Sequence, residues 1–234
     1  MAEASLQPPA QNPPHKAPRK YVFVVTYGRS GSTLLQALLN TLDGACIRGE
    51  NYNLLMPLYQ SVKQARRARQ EYGKSPQPPD HPWYGAHLVD PAKFARGLAN
   101  VFVERVICPP PGTRILGFKE IRYAPLDRAY LNEFLEFVLS AFENSFILFN
   151  QREPEAVAQS SWWADKPADE VVKMIESANE SFATFAARRP KRTRLVRYEQ
   201  VVADSEYIRE VFQFLGEKMN DEKVAQVLGT KLEH

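Results

Sequence analysis

The sequence predicts an α/β fold, a single domain with a mostly parallel β-sheet flanked by helices on both faces. Three observations carry that expectation. Short apolar runs rich in β-branched and aromatic residues, at Tyr21–Val25, Arg114–Phe118, Phe146–Phe149 and Leu195–Tyr198, alternate with longer stretches of helical periodicity. Each run ends in a polar residue (Arg29, Lys119, Arg152, Tyr198), with Glu50 following a further short apolar segment, Ala45-Cys46-Ile47. Such residues gather at the carboxyl edge of a parallel sheet, where ligands bind. Finally, the first run turns through Gly28-Arg29-Ser30-Gly31 into a helix, the strand–turn–helix unit of an anion site.

At 234 residues the length suits one such domain with a full core. Hydrophobic content is 44% and charged content 24%, and a net charge of +3 favours a small anionic ligand as readily as a polyanion, so no nucleic-acid partner is expected. Cys46 and Cys108 make neither a disulfide framework nor a metal cluster, which suits a reducing, cytoplasmic setting. No apolar run reaches bilayer-spanning length and no signal-type segment precedes Tyr21, so no membrane anchor is expected.

In order, residues 1–20 carry Pro8, Pro9, Pro13, Pro14 and Pro18 with almost nothing to bury and read as a disordered tail. The domain then runs over 21–230. After the first strand, Ser32 or Thr33 can cap a helix whose Leu34, Leu35, Leu38, Leu39 and Leu42 share one face. A second helix covers Leu54–Glu71; its Lys63, Arg66, Arg67 and Arg69 read as a solvated face. Gly73–Pro91 is a long proline-rich loop bearing His81, Trp83, Tyr84 and His87, either an acceptor-side lid or a flap pinned to the core. Helices follow over Ala92–Val106 and Leu126–Phe142. Pro154 opens another, and more follow at Ala168–Ala187, Tyr207–Leu215 and Asp221–Leu228. Arg188–Arg194, with five basic residues, reads as a solvated connection, and Lys231-Leu232-Glu233-His234 as a tag remnant.

The turn after the first strand has the makings of a phosphate loop. Backbone N–H groups at the helix start, the Arg29 charge and the hydroxyls of Ser30, Ser32 and Thr33 converge there. It is P-loop-like without being the ATP/GTP loop G-x-x-x-x-G-K-[ST], which would place glycine at Thr26 and lysine at Ser32. An ordinary strand-to-helix turn is the plainer alternative, and Arg29 inside the turn favours phosphate.

Tyr27-Gly28-Arg29-Ser30-Gly31-Ser32-Thr33-Leu34-Leu35 resembles the 5′-phosphate loop of sulfotransferases that use 3′-phosphoadenosine 5′-phosphosulfate (PAPS), in the style of the tyrosylprotein and trehalose branches. Gly28 stands where proline is usual. Arg152 and Ser160, eight residues apart behind the third strand, resemble the family's 3′-phosphate motif. The segment from Leu195 to Asp204, with Tyr198-Glu199, resembles the one whose tyrosine lies near the adenosine. The resemblance therefore implies a sulfotransferase fold, PAPS as co-substrate, and 3′-phosphoadenosine 5′-phosphate (PAP) as product. It implies transfer to an acceptor hydroxyl, on a carbohydrate or other small molecule. Cofactor contacts would come from Gly28, Arg29, Ser30, Gly31, Ser32, Thr33, Arg152, Ser160 and Tyr198.

The resemblance also implies a catalytic set. Glu50, nineteen residues beyond Gly31, is placed like the glutamate that takes the acceptor's proton in those branches. The plainer role for Glu50 is pairing with Arg48 or capping the next helix, and His81 and His87 are rival bases. Lys119 is similar to the family lysine that contacts the transferring group, with Arg29 beside it. Trp162 and Trp163 can stack on adenine or acceptor, or simply pack in the core. The strands end in Lys119 and Asn150 rather than in a metal-holding aspartate, which fits transfer without a metal. A kinase or nucleotide hydrolase with a degenerate loop, and a non-catalytic nucleotide-binding module, are the alternatives.

Overall fold

The computed structural model describes residues 19–230. The tail expected over 1–20 falls outside that range up to residue 18, and so does the expected tag remnant. Lys20, assigned to the tail, is instead the first residue of the first strand.

Five strands form one wholly parallel sheet: β1 (Lys20–Val25), β2 (Ala45–Arg48), β3 (Ile115–Glu120), β4 (Ser145–Gln151) and β5 (Thr193–Arg197). Their order is β2-β3-β1-β4-β5. The short Ala45-Cys46-Ile47 segment is therefore a strand in its own right, and an edge strand. Its outer edge is closed by Asn40, whose side chain both donates to the Ile47 carbonyl (2.9 Å) and accepts from the Ile47 N–H (2.8 Å). That blunts an edge otherwise open to pairing.

β1 shows why the sheet is covered twice. Val22 and Val24 face one side, Phe23 and Val25 the other, and all four are buried. Against the Val22 face pack α1 (Ser32–Leu39), α7 (Tyr198–Ala203), α8 (Ser205–Phe214) and α9 (Asp221–Gly229). Against the Phe23 face pack α2 (Leu55–Tyr72), α3 (Pro91–Phe102), α4 (Arg128–Ala141) and α6 (Ala168–Arg188), with the short α5 (Pro154–Ala158). Asp90, Asp127, Asp204 and Asn220 cap α3, α4, α8 and α9 through their side chains.

Other boundaries differ from the sequence expectation for local reasons. α3 gives way at Val103 to a π-helical turn that ends at Cys108 in a left-handed conformation (φ 44°). α1 stops at Leu39, where Asn40 is engaged with β2. Tyr198, read as a strand end, is the first residue of α7. Among the described residues no helix is long and apolar enough to cross a membrane.

The consequence for function is positional. From β1 the chain first crosses to β2 and β3 on one side, then returns past β1 to β4 and β5 on the other. The crevice beyond the carboxyl end of β1 is the switch point of the sheet.

Candidate active site

The turn from β1 to α1 is shaped by two left-handed residues, Arg29 (φ 66°) and Gly31 (φ 74°), on either side of Ser30. Ser30 is fully buried, and its carbonyl accepts from Asn150 Nδ2 at 2.8 Å. Thr26 Oγ1 lies 2.7 Å from both Ser30 Oγ and the Asn150 carbonyl. A carbonyl only accepts, so Thr26 gives its single proton to Asn150 and accepts that of Ser30. The Ser30 hydroxyl thus braces the loop against β4 instead of facing the crevice, contrary to its expected place among the phosphate donors.

The expected cap by Ser32 or Thr33 is absent as well. Gly31 occupies the N-cap and no side chain closes the helix start. A helix beginning this way presents its first N–H groups and its positive dipole end to the crevice. Gly31 is required twice: by its φ, and because a Cβ would lie 2.0 Å from Tyr198 Cδ2. At Gly28 a Cβ would lie 2.5 Å from Trp162 Cζ2, so the side chain of a proline there would strike this tryptophan.

Glu50 and Lys119 form the opposite wall. Lys119 Nζ donates to Glu50 Oε1 at 2.7 Å, and Arg122 Nη1 reaches Glu50 Oε2 at 3.2 Å. Arg122 also pairs with Glu120 at 2.6 Å. Burial pushes the Arg122 guanidinium down, but Glu120 and Glu50 outweigh it and leave it above its ordinary value. Glu120 is fully buried and was not anticipated. Its oxygens accept from Ile121 N (2.8 Å), Asn53 N (2.6 Å) and Asn51 N (3.3 Å) as well as from Arg122. It therefore holds the turn that presents Glu50, in which Tyr52 (φ 58°) and Asn53 (φ 55°) are both left-handed.

The third wall comes from the segment after β4 and from α7. Arg152 Nη1 donates to the Arg29 carbonyl at 3.0 Å, and its guanidinium lies 4.8 Å from the Tyr198 ring centroid. Arg29 Nε donates to Ser160 Oγ at 3.0 Å, so Ser160, expected to converge with Arg152 on one phosphate, is held by the arginine of the β1 loop. Trp163 Nε1 donates to the Gly28 carbonyl at 3.1 Å, and Trp163 packs on the core, whereas Trp162 is about half exposed beside Arg29.

These walls enclose one cleft of about 640 Å³ lined by Gly28, Arg29, Gly31, Ser32, Thr33, Glu50, Lys119, Arg152 and Tyr198. Ser30 and Ser160 are the expected site residues that do not line it. Leu34, Ile121, Trp162, Val202, Leu228 and Thr230 complete the lining. Of these, only Trp162 had been weighed from sequence as a ligand contact; nothing local marks Val202 or the end of α9 as site residues.

The long loop lies elsewhere. Trp83 stacks on Tyr72 at the end of α2, with centroids 3.7 Å apart and planes within 3°. Arg69 ties the Gly73 and His87 carbonyls together. Eighteen helical residues separate this end of α2 from the Glu50 turn, about 25 Å at 1.5 Å per residue. No residue of 73–90 lines the cleft. His81 Nδ1 accepts from the Trp83 N–H, and His87 Nδ1 is buried, so neither histidine stands at the Glu50 position. The loop thus packs as a flap on the end of α2, away from the cleft.

The sulfotransferase family model matches residues 21–221. Among solved structures, the sulfotransferase domain from the Synechococcus PCC 7002 olefin synthase is similar at 20% identity and a TM-score of 0.59, covering 94% of this chain and 81% of that one. The sulfotransferase domain from the curacin biosynthetic pathway is similar at 16% identity and a TM-score of 0.55, covering 92% and 80%. No curated protein sequence matches significantly. The two structures share the fold, and the family match runs from β1 into α9 across every wall of the cleft: this chain belongs to the sulfotransferase family.

Proposed function

We propose that the protein transfers a sulfuryl group from PAPS to a hydroxyl of a carbohydrate or other small-molecule acceptor. One observation carries the reading. Residues from four separate strand ends (the β1 loop, Glu50, Lys119 and Arg152) meet in a single cleft of nucleotide size.

In this reading the N–H groups of the α1 N-terminus and of the loop from Gly28 to Thr33 take the 5′-phosphosulfate, Arg152 takes the 3′-phosphate with Ser160 behind it on Arg29, and Tyr198 lies against the adenosine. Charge develops on the oxygens of the moving group and on the bridging oxygen of the leaving nucleotide. Lys119, Arg29 and the loop N–H groups oppose it electrostatically. Glu50 removes the acceptor proton as the new S–O bond forms. Lys119 is the enclosed cation of this wall (side chain 8% exposed, against 38% for Arg122) and carries three donors. It turns part of its hydrogen bonding from Glu50 to the sulfuryl oxygens, which frees Glu50 Oε1 for the acceptor hydroxyl. The kinase or nucleotide hydrolase alternative is not favoured by the family match.

A thermal-shift comparison of PAP, AMP and ATP-magnesium tests the reading. PAP at a hundredfold excess over its Kd contributes about 2.7 kcal/mol by mass action, a rise of roughly 5–10 °C for a domain this size. The rise is expected without added metal and should exceed that from AMP. A larger shift from ATP-magnesium than from PAP would overturn it.

A further inference from the structure

Tyr27 belongs to the β1–α1 loop, yet its side chain runs inward. The ring is fully buried and parallel to Phe182 of α6, with centroids 6.4 Å apart. The hydroxyl ends where β4 gives out. It accepts the Arg152 N–H at 2.9 Å and lies 3.0 Å from Asn179 Oδ1 and 3.1 Å from the Arg152 carbonyl. Gln151 is the last β4 residue paired with β5, so the Arg152 N–H has no strand partner and finds the Tyr27 oxygen instead. Burial pushes the Tyr27 hydroxyl up to about 12, which keeps it protonated, with one proton to give to α6 and lone pairs for Arg152.

Arg152 is thus held twice by the same loop: at its backbone by Tyr27 and at its guanidinium by the Arg29 carbonyl. The geometry points to Tyr27 as a positioning residue that sets the reach of Arg152 and locks the 5′-phosphate loop to the 3′-phosphate arginine. This rests on the reading above, in which Arg152 meets the 3′-phosphate. Filling volume would need only the ring. The hydroxyl adds a fixed starting point for a long side chain whose tip must meet one phosphate.

Calorimetric Kd values for PAP and AMP in the wild type, Tyr27→Phe, Arg152→Ala and the double variant test it. Phenylalanine keeps the ring on Phe182 and removes only the oxygen. Losing one positioning hydrogen bond should weaken PAP about 10-fold and AMP less than about 2-fold. In the Arg152→Ala background Tyr27→Phe should cost PAP nothing further, the mark of two residues acting as one. A merely structural role would weaken both nucleotides by the same factor, and that result overturns the inference. If Arg152→Ala lowers the PAP-to-AMP preference and Tyr27→Phe does not, the inference alone fails. If Arg152→Ala leaves the preference intact, the 3′-phosphate reading fails and takes the inference with it. Asn179→Ala, which keeps Tyr27 but removes the acceptor on α6, should lower the preference in the same direction by a smaller factor. Should Tyr27→Phe not fold, an unchanged preference in Asn179→Ala overturns the inference.

Discussion

Adding one methyl group at Gly31 should disable nucleotide binding while leaving the sheet intact. Two terms add. An L-residue held at φ 74° costs about 1–2 kcal/mol. The new Cβ would also stand 2.0 Å from Tyr198 Cδ2, where ordinary contact begins at 3.4 Å, so the ring must retreat by the difference, about 1.4 Å. Tyr198 cannot retreat alone, because the Arg152 guanidinium lies on its ring. Gly31→Ala should therefore lower Tm by about 2–8 °C and weaken PAP by at least about 10-fold, read by differential scanning fluorimetry with and without PAP. Gly97→Ala is the matched control. It sits exposed in α3 with nothing within 4 Å of a new Cβ, and should be neutral or stabilising by about 0.5–1 kcal/mol. Adding Tyr198→Ala should relieve the steric part of the Gly31→Ala defect and leave only the backbone part. Wild-type PAP affinity and Tm in Gly31→Ala would refute both the geometry and the role assigned to the loop.

Other outcomes follow from the same geometry. Glu50→Gln should keep PAP affinity within about 2-fold, while PAP release driven by an acceptor falls by about 10² or more, the scale of general-base catalysis; full turnover would remove Glu50 from the mechanism. Glu120→Ala strips the acceptor from Asn51, Asn53, Ile121 and Arg122, so amide exchange over 51–54 should accelerate while β1 and α1 stay protected. Trp83→Ala should lower Tm and leave PAP binding unchanged, since the flap is pinned to α2 and not to the cleft. At the opposite edge of the sheet, Glu217 pairs with Lys20 and Arg114. Burial pushes its carboxyl up, but the hydrogen bonds from Arg114 and Lys20 outweigh burial and hold it below the usual carboxylate range. A depressed carboxylate contributes its stability above the unfolded pKa, and loses it as pH falls through the folded one. Glu217→Gln should thus cost Tm near neutral pH, in thermal melts, by a margin that shrinks below about pH 4.3.

What was legible in the sequence was what is local. The β1–α1 loop, the strand ends at Lys119 and Arg152, and the helices with a clear apolar face are written in contiguous residues. What escaped depends on partners distant along the chain. Ser30 looks like a phosphate donor until Asn150, from β4, claims its carbonyl and Thr26 its hydroxyl. Lys119 and Glu120 are neighbours, and strand alternation sends them to opposite faces, but no periodicity says which one faces the cleft. Ala45–Ile47 is too short to read as a strand without the β3 edge that pairs it. The aromatic loop over 73–90 carried pocket-like residues, yet composition cannot say where a loop docks, and Tyr72 decided that.

The place of β1 in the sheet also bears on how the chain comes to be folded. Of the strands in this sheet the first to be synthesised is the central one, and its neighbours arrive late: Lys20 pairs with Ile115, and Tyr21 with Ser145. At 5–20 residues per second, translation leaves this apolar segment without either neighbour for several seconds, and without the second for on the order of ten. Through that interval both of its edges are open templates for wrong pairing. The loop that follows it stays unformed too, because Asn150 and Arg152, which fix its shape, lie beyond the last of those partners. Nascent chains arrested before residue 145 should therefore need chaperone protection and show no PAP binding; the first need should fall as β4 emerges, whereas PAP binding should wait for Tyr198 of α7.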